Sequence, residues 1–210
     1  KGFWTGFYFW VLMMEYNTNL LDEDELPTSW SELNEDKWAN KVVVADPYKS
    51  SSGLGFVKGL VKMHGWDWIE KLAKNNVLVQ TSGPGVHQSV LKGERLVGAP
   101  VSSFHSKTAS QGGPVAMAID EVLFAATSTI SVTNDAPNPE GGELLVDYLL
   151  SKEAGDKYLS YGWFACHDEV PGPYGLPAAG DLKMKFPGPP SIGMPGPDVA
   201  AKFHEILQAN

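Results

Sequence analysis

The sequence predicts an α/β fold in which a mostly parallel sheet is flanked by helices. Short apolar runs alternate along the chain with segments of helical spacing, as residues 41–45 and 54–64 illustrate. This alternation is typical of parallel sheets, because their strands are connected by helices. The 210 residues are enough for one globular domain or for two small lobes.

In the first half of the chain the predicted strands are short, and the first of them is aromatic. The strands are expected at residues 3–16, 41–45, 77–80 and 95–100. The helices are expected in a short segment after Ser29 and at residues 54–64, 66–74 and 86–92. Ser29 and Glu32 have the spacing of a capping box, which predicts that Ser29 caps the first of these helices.

The second half predicts strands at residues 115–119 and within 123–133, followed by helices. Asn138 and Pro139 are typical of a helix start. One face of that helix carries Leu144, Leu145, Tyr148 and Leu149. The later segments are predicted as a helix from Ser151 to Gly162, irregular chain at residues 168–198 and a final helix at about 198–209.

Composition argues against several classes of function. The chain has 25 acidic and 16 basic residues and a net charge of −9, so nucleic acid is not an expected partner. The one cysteine, Cys166, forms neither an intrachain disulfide nor a multi-cysteine zinc site. The apolar run at residues 7–14 is far shorter than the roughly 20 residues of a membrane-spanning helix. Lys1 leads directly into strand-like sequence, without the features of a signal peptide.

Five segments, in order, resemble substrate-binding proteins of bacterial ABC importers. The first runs from Tyr16 to Gly55 and includes PTSWSELN, KWANKVVVADP and SSSGLG. The others are VLKGERLVG at 90–98, GGPVAMAI at 112–119, APNPEGGELLVDYLLS at 136–151 and GDKYLSYG ending at Gly162. The resemblance covers about residues 4–165 and is closest to the branch that binds ferric iron, thiamine, phosphonates and polyamines.

This resemblance implies the type II periplasmic-binding-protein fold, in which two lobes close over a solute. It divides the chain into a crossover strand and hinge (1–17), the second lobe (18–114), and the return hinge with the later part of the first lobe (115–210). Members of the family begin with a further α/β segment of the first lobe. We therefore expect the first lobe to be incomplete here and the chain to be a fragment.

Two serine-rich turns are candidate ligand contacts because each lies between a predicted strand and a helix start. The first comprises Ser50, Ser51, Ser52 and Gly53, and the second comprises Thr81, Ser82 and Gly83. Free N–H groups and the helix dipole favour an anion at a helix start, and open α/β sheets bind ligands at the carboxyl ends of strands. The alternative is that one serine caps each helix and the others face water.

Ser102, Ser103 and His105 follow the next predicted strand and are further candidates. In the ferric-iron branch of the family, an adjacent tyrosine pair near this point ligates the metal, whereas this chain has Phe104 and His105. Phenylalanine cannot coordinate iron, which argues against iron held by two phenolates, although His105 stays a candidate ligand contact. We expect no metal and no cofactor. A lone histidine is more often a surface or packing residue than a ligand contact.

Asp120 and Glu121 follow the return strand, where the family often has a Pro-x-Glu-Gly loop at the cleft. The proline and glycine of that loop are missing here. The acidic pair is therefore either a solvated turn or the partner of a cationic group, such as an amine.

An enzyme is the rival class. Cys166 and His167 are adjacent, but neighbouring residues of an extended chain point to opposite faces, so they do not form a nucleophile–base pair. The five histidines show no metal-ligand spacing, and the G-x-S-x-G motif is absent.

The sequence thus predicts no catalytic residue. It predicts a periplasmic or otherwise extracytoplasmic component that binds a small, anionic solute and delivers it to an ABC permease in the inner membrane. Two alternatives stay open: a ferric-iron binder of the same family, and an enzyme or sensor on the same fold. A complete chain is expected to be a monomer, whereas for a fragment an oligomer is an open alternative.

Overall fold

The computed structural model describes residues 4–119, 121–186, 188 and 190–209, which form two sheets with helices packed around them. The strands are β1 (Thr5–Leu12), β2 (Glu15–Asn17), β3 (Val42–Ala45), β4 (Leu78–Gln80), β5 (Val97–Gly98), β6 (Val115–Met117), β7 (Glu121–Ile130), β8 (Phe164–Ala165) and β9 (Lys183–Phe186). The helices are α1 (Ser51–His64), α2 (Trp66–Lys74), α3 (Gly83–Leu91), α4 (Ser102–Ser110), α5 (Pro139–Leu150), α6 (Lys152–Leu159) and α7 (Gly196–Ala209). Short 3₁₀ helices lie at Glu23–Glu25, Trp30–Asn34, Asp36–Trp38, Pro173–Gly175 and Ala179–Asp181.

Both sheets are mixed, whereas a mostly parallel sheet was expected. The larger sheet has the order β4-β3-β5-β2-β6, in which β3 is parallel to β4 and β5, and β2 is antiparallel to β5 and β6. The smaller sheet has the order β8-β1-β7-β9, in which only β7 and β9 are parallel among the described strands. The parallel pairs of the larger sheet arise where helices connect successive strands. Strands β2 and β6 instead connect directly to the smaller sheet. Only β2 runs opposite to the other four strands, since β6 is antiparallel to β2.

The strand predicted at residues 3–16 is in fact two strands in different sheets. The chain leaves β1 and enters β2 through Met13 and Met14, both fully buried. It returns after β6, and there the Ala118 N–H donates to the Met14 carbonyl at 2.9 Å. The two crossings between the sheets therefore lie side by side.

Helix α1 packs on β3 of the larger sheet and on β7 of the smaller one, α2 packs on α1, and the C-terminal helix α7 packs on both helices. Phe203 of α7 is fully buried, and the Lys202 ammonium lies 4.6 Å from the centre of the Trp66 ring. Nε2 of His204 donates to Oδ1 of Asp46 at 2.9 Å, just beyond the end of β3. The resemblance groups residues 115–210 with the first lobe, but α7 packs on α1 and α2, which lie in the range assigned to the second lobe. The division into lobes itself stays a prediction.

Three local predictions need correction. Ser29 makes no capping hydrogen bond with its side chain, since its hydroxyl lies 2.7 Å from that of Ser31, and the segment is a 3₁₀ helix. The chain at residues 168–198 is not wholly irregular, since it contains β9 and two 3₁₀ helices. The strand expected at residues 95–100 is reduced to β5, two residues long.

Helix α5 begins as predicted, because Oδ1 of Asn138 accepts the Gly141 N–H at 2.9 Å. Its apolar face is largely uncovered by the described chain, with Leu144 71% and Leu145 52% exposed. In the described part of the chain, no helix has both the length and the apolar character needed to cross a bilayer.

Helix α1 packs directly on the end of β3. A Cβ atom added to Gly53 would lie 2.3 Å from the Ala45 carbonyl oxygen, a distance that backbone atoms cannot tolerate. Glycine at this position therefore allows the first turn of α1 to approach the carboxyl end of the strand.

Replacing Gly53 by alanine is expected to destabilise the chain by about 1–3 kcal/mol, because the helix must move away from β3. Urea unfolding of Gly53→Ala measures this change. Gly180→Ala is the matched control, since no atom lies within 4 Å of its added Cβ. Equal stabilities for the two variants would show that α1 does not depend on the close approach.

Replacing Asp46 by asparagine tests the contact with α7. Burial raises the pKa of Asp46, but hydrogen bonds from His204 and the Tyr48 N–H outweigh burial and hold it below its usual value of 3.8. The ionised carboxylate thus adds stability above about pH 3.8, and this contribution is lost as the pH falls through the lower folded-state pKa.

We expect Asp46→Asn to lower the free energy of unfolding by about 1–3 kcal/mol near neutral pH. The difference from the wild type should shrink as the pH falls below about 3.8. Urea unfolding across this range measures both effects, with the exposed Asp135 changed to asparagine as control. A deficit that stays constant at acidic pH would mean that the charge of Asp46 is not what matters.

Candidate ligand-binding site

The first serine turn connects β3 to α1. Oγ of Ser50 accepts the Gly53 N–H at 3.4 Å, so Ser50 is the helix cap. Ser52 is buried, and its hydroxyl lies 2.8 Å from that of Ser50. Ser51 is exposed at the first position of the helix. The capping alternative is thus right for Ser50, while Ser51 faces solvent.

The second serine turn connects β4 to α3 in the same way. Oγ of Ser82 accepts the Gly85 N–H at 3.3 Å and caps the helix. Thr81, just before the cap, is exposed, and Gly83 opens the helix. In each turn, therefore, one serine caps the helix and neighbouring donors lie at the helix start.

The two helix starts are in contact. A Cβ atom added to Gly83 would lie 3.7 Å from Oγ of Ser52 and 3.5 Å from Cε2 of Phe104. The contact follows from the parallel pairing of β3 and β4, whose carboxyl ends lie at the same edge of the sheet. Phe104 belongs to the first turn of α4, so this helix also begins beside the other two.

Ser102 and Ser103, at the start of α4, contact two distant segments of the chain. Ser102 is fully buried, accepts the Val11 N–H at 3.4 Å and donates to the Gly162 carbonyl at 3.4 Å. Ser103 is half-buried, and a Cβ atom on Gly162 would lie 2.7 Å from its Cα. Ser102 thus faces the protein interior, and Ser103 lies at its margin.

His105 belongs to a buried polar group that the sequence reasoning missed. Its Nδ1 lies 2.8 Å from Oε2 of Glu15, and Nδ1 of His87 lies 2.9 and 3.0 Å from the two oxygens of Glu15. Nε2 of His87 lies 2.7 Å from Oγ1 of Thr108. We call these four residues the Glu15 cluster. A charged residue in an otherwise apolar strand was the signal available in the sequence, because such a residue needs a partner when buried.

Glu121 lies at the start of β7 in the smaller sheet, and its carboxylate pairs with the Lys185 ammonium at 3.0 Å. Lysine already compensates this negative charge. Its predicted neighbour in the acidic pair, Asp120, lies outside the described residues.

Cys166 and His167 do not form an activated pair. Burial raises the pKa of the Cys166 thiol, which disfavours the reactive thiolate. Nδ1 of His167 accepts the Glu169 N–H at 3.2 Å rather than facing the sulfur.

The chain is similar to known proteins in sequence. The family model described as bacterial extracellular solute-binding protein matches residues 1–178. A periplasmic protein of Salmonella typhimurium, provisionally named for binding 2-aminoethylphosphonate, is 27% identical over 168 residues, covering 70% of this chain and 47% of that protein. An uncharacterized protein of Haemophilus influenzae is 23% identical over 157 residues, covering 71% of this chain and 45% of that protein. The chain thus spans about half the length of these curated relatives.

Solved structures share the fold at low sequence identity. The ABC-transporter substrate-binding protein of Agrobacterium tumefaciens has a TM-score of 0.74 and 17% identity, covering 97% of this chain and 66% of that one. AfuA of Actinobacillus pleuropneumoniae, solved with fructose 6-phosphate, has a TM-score of 0.71 and 18% identity, covering 99% of this chain and 67% of that one. Iron-bound HitA of Pseudomonas aeruginosa has a TM-score of 0.71 and 17% identity, covering 99% of this chain and 69% of that one.

These likenesses confirm the type II periplasmic-binding-protein fold that the resemblance implied. The family model covers most of the chain and includes both serine turns and the Glu15 cluster. The chain therefore belongs to the bacterial extracellular solute-binding protein family.

Proposed function

We propose that the chain is part of the solute-binding component of an ABC importer and binds a small solute through an anionic group. The contact between the starts of α1 and α3 carries this proposal. Two helix starts that meet at one point combine their free N–H groups and their dipoles, and both favour negative charge. The exposed hydroxyls of Ser51 and Thr81 add donors beside them.

Relatives support an anionic group in the solute. One curated relative is named for 2-aminoethylphosphonate, and AfuA was solved with fructose 6-phosphate. Both compounds carry a phosphorus oxyanion. An amine on the solute would need its own acidic partner, and Glu121 is paired with Lys185.

Ferric iron is the second candidate within the family, because HitA was solved with iron bound. Phe104 and His105 occupy the region where the sequence comparison expected a tyrosine pair. His105 directs Nδ1 to Glu15, and phenylalanine has no donor atom, so two phenolate ligands are lacking there. The geometry thus favours the anion over iron.

Catalysis on the solute is not part of this proposal. Helix-start N–H groups bind negative charge but do not transfer a proton or supply a nucleophile. The proposed action is capture by closure of two lobes around the side-by-side crossings, followed by delivery to a permease in the membrane. The proposed compartment is the periplasm or another extracytoplasmic space.

Thermal unfolding with added solutes tests the class of ligand. A bound solute raises the melting temperature with a saturating dependence on its concentration. We expect stabilisation by 2-aminoethylphosphonate, inorganic phosphate or fructose 6-phosphate, and none by putrescine, thiamine or ferric citrate. Each solute should be recovered chemically unchanged. Stabilisation by ferric citrate alone would overturn the proposal of an anionic ligand. Conversion of a solute would indicate an enzyme.

A negative charge placed at the start of α1 should weaken binding of an anion. We expect Ser51→Asp to reduce the affinity for 2-aminoethylphosphonate by about tenfold or more, measured by isothermal titration calorimetry. An acidic residue in the first helical turn also stabilises a helix, so the variant should fold. Asn134→Asp adds the same charge at an exposed turn and serves as control. Unchanged binding by Ser51→Asp would place the solute elsewhere.

A further inference from the structure

The Glu15 cluster contains a carboxylate that is completely removed from water. Glu15 is 0% exposed, and such a charge is costly unless it is paired with a cation. Its neighbours across the sheet are Gly98 of β5 and Met117 of β6, which bring no charge. The ionisable side chains that face it from the helices are His87 of α3 and His105 of α4. The countercharge therefore has to come from an imidazole.

The hydrogen bonds indicate which imidazole it is. Both rings direct Nδ1 to Glu15, so both carry a proton on that nitrogen. For His87 the remaining nitrogen faces the Thr108 hydroxyl, which can donate to a neutral ring. For His105 the remaining nitrogen has no hydrogen-bond partner among the residues that the structure describes, and the side chain keeps 6% of its surface exposed.

We propose that Glu15 is a positioning residue that holds His105 as an imidazolium, with Nδ1–H donated to Glu15 and Nε2–H left free to donate to the anionic group of the solute. The second half of this statement rests on the proposed function, whereas the first half does not. A hydrogen bond from a charged donor is about twice as strong as a neutral one. Glu15 would thereby give the site a charged donor without itself touching the solute.

The position of α4 places His105 next in sequence to a residue of the site. The preceding residue, Phe104, lies against Gly83 at the start of α3, next to Ser52 at the start of α1. His105 is thus one residue from the contact of the three helix starts. A metal explains the cluster less well, because the described chain holds no group of three His, Cys, Asp or Glu side chains arranged to bind an ion.

Nitrogen NMR of the uniformly ¹⁵N-labelled chain tests the protonation directly. We expect both ring nitrogens of His105 to be protonated near neutral pH, and His87 to be a neutral ring with its proton on Nδ1. His167 is an internal reference for the other tautomer, because its Nδ1 accepts the Glu169 N–H, so that a neutral ring would carry its proton on Nε2. A neutral His105 in the wild-type spectrum would overturn the proposal, and this result requires no variant to fold.

Two charge-matched variants test the role of Glu15. Glu15→Gln removes the buried charge, whereas Glu70→Gln removes a charge from the exposed surface of α2. We expect only Glu15→Gln to return His105 to a neutral ring. We also expect only Glu15→Gln to weaken binding of 2-aminoethylphosphonate, by about tenfold or more.

The outcomes separate this inference from the proposed function. If the wild type binds 2-aminoethylphosphonate and Glu15→Gln binds it equally well, the positioning role is wrong and the proposed function stands. If the wild type binds neither 2-aminoethylphosphonate nor inorganic phosphate, the proposed function fails and His105 loses its role toward the solute. The NMR spectrum still decides whether Glu15 holds His105 as an imidazolium.

Discussion

The parallel pairing of β3 with β4 is the interaction on which the candidate site depends. Ala45 lies opposite Gln80, and the Asp46 N–H extends the ladder by donating to the Gln80 carbonyl at 2.8 Å. Because both strands end at the same level, α1 and α3 begin side by side. A shift of one residue would turn every side chain of a strand to the other face and would separate the two helix starts.

A glycine brings the first of these helices close to its strand. Gly53 lets α1 approach β3, whereas a Cβ atom at Gly83 would make only ordinary van der Waals contact with Ser52. A site formed in this way consists largely of backbone N–H groups and hydroxyls, which recognise negative charge but not the remainder of a solute. On the proposed function, selectivity among anions would come from the side chains around the contact, and Phe104 of α4 is one of them.

Sequence reasoning predicted the features that are encoded locally. A serine followed by a helical segment identified the caps Ser50 and Ser82, since capping requires only residues three positions apart. The same rule failed at Ser29, whose hydroxyl lies 2.7 Å from that of Ser31 instead. The crossing at Met13 and Met14 was read as continuous strand, because a buried chain that changes sheets keeps its apolar composition. The antiparallel pairing of β2 was missed for the same reason.

Glu15 shows where local reasoning ends. Its charge within an apolar strand predicts that some partner must meet it, but not which one, since His87 and His105 lie 72 and 90 residues away along the chain. Once buried, these three side chains hold β2 to α3 and α4, because separating them would leave an unpaired charge in the interior. The segment that enters the larger sheet from the crossing is thereby fixed to two of the helices whose starts form the candidate site. On the proposed closure of two lobes, bending would occur on the β1 side of Glu15, where Met13 and Met14 cross between the sheets.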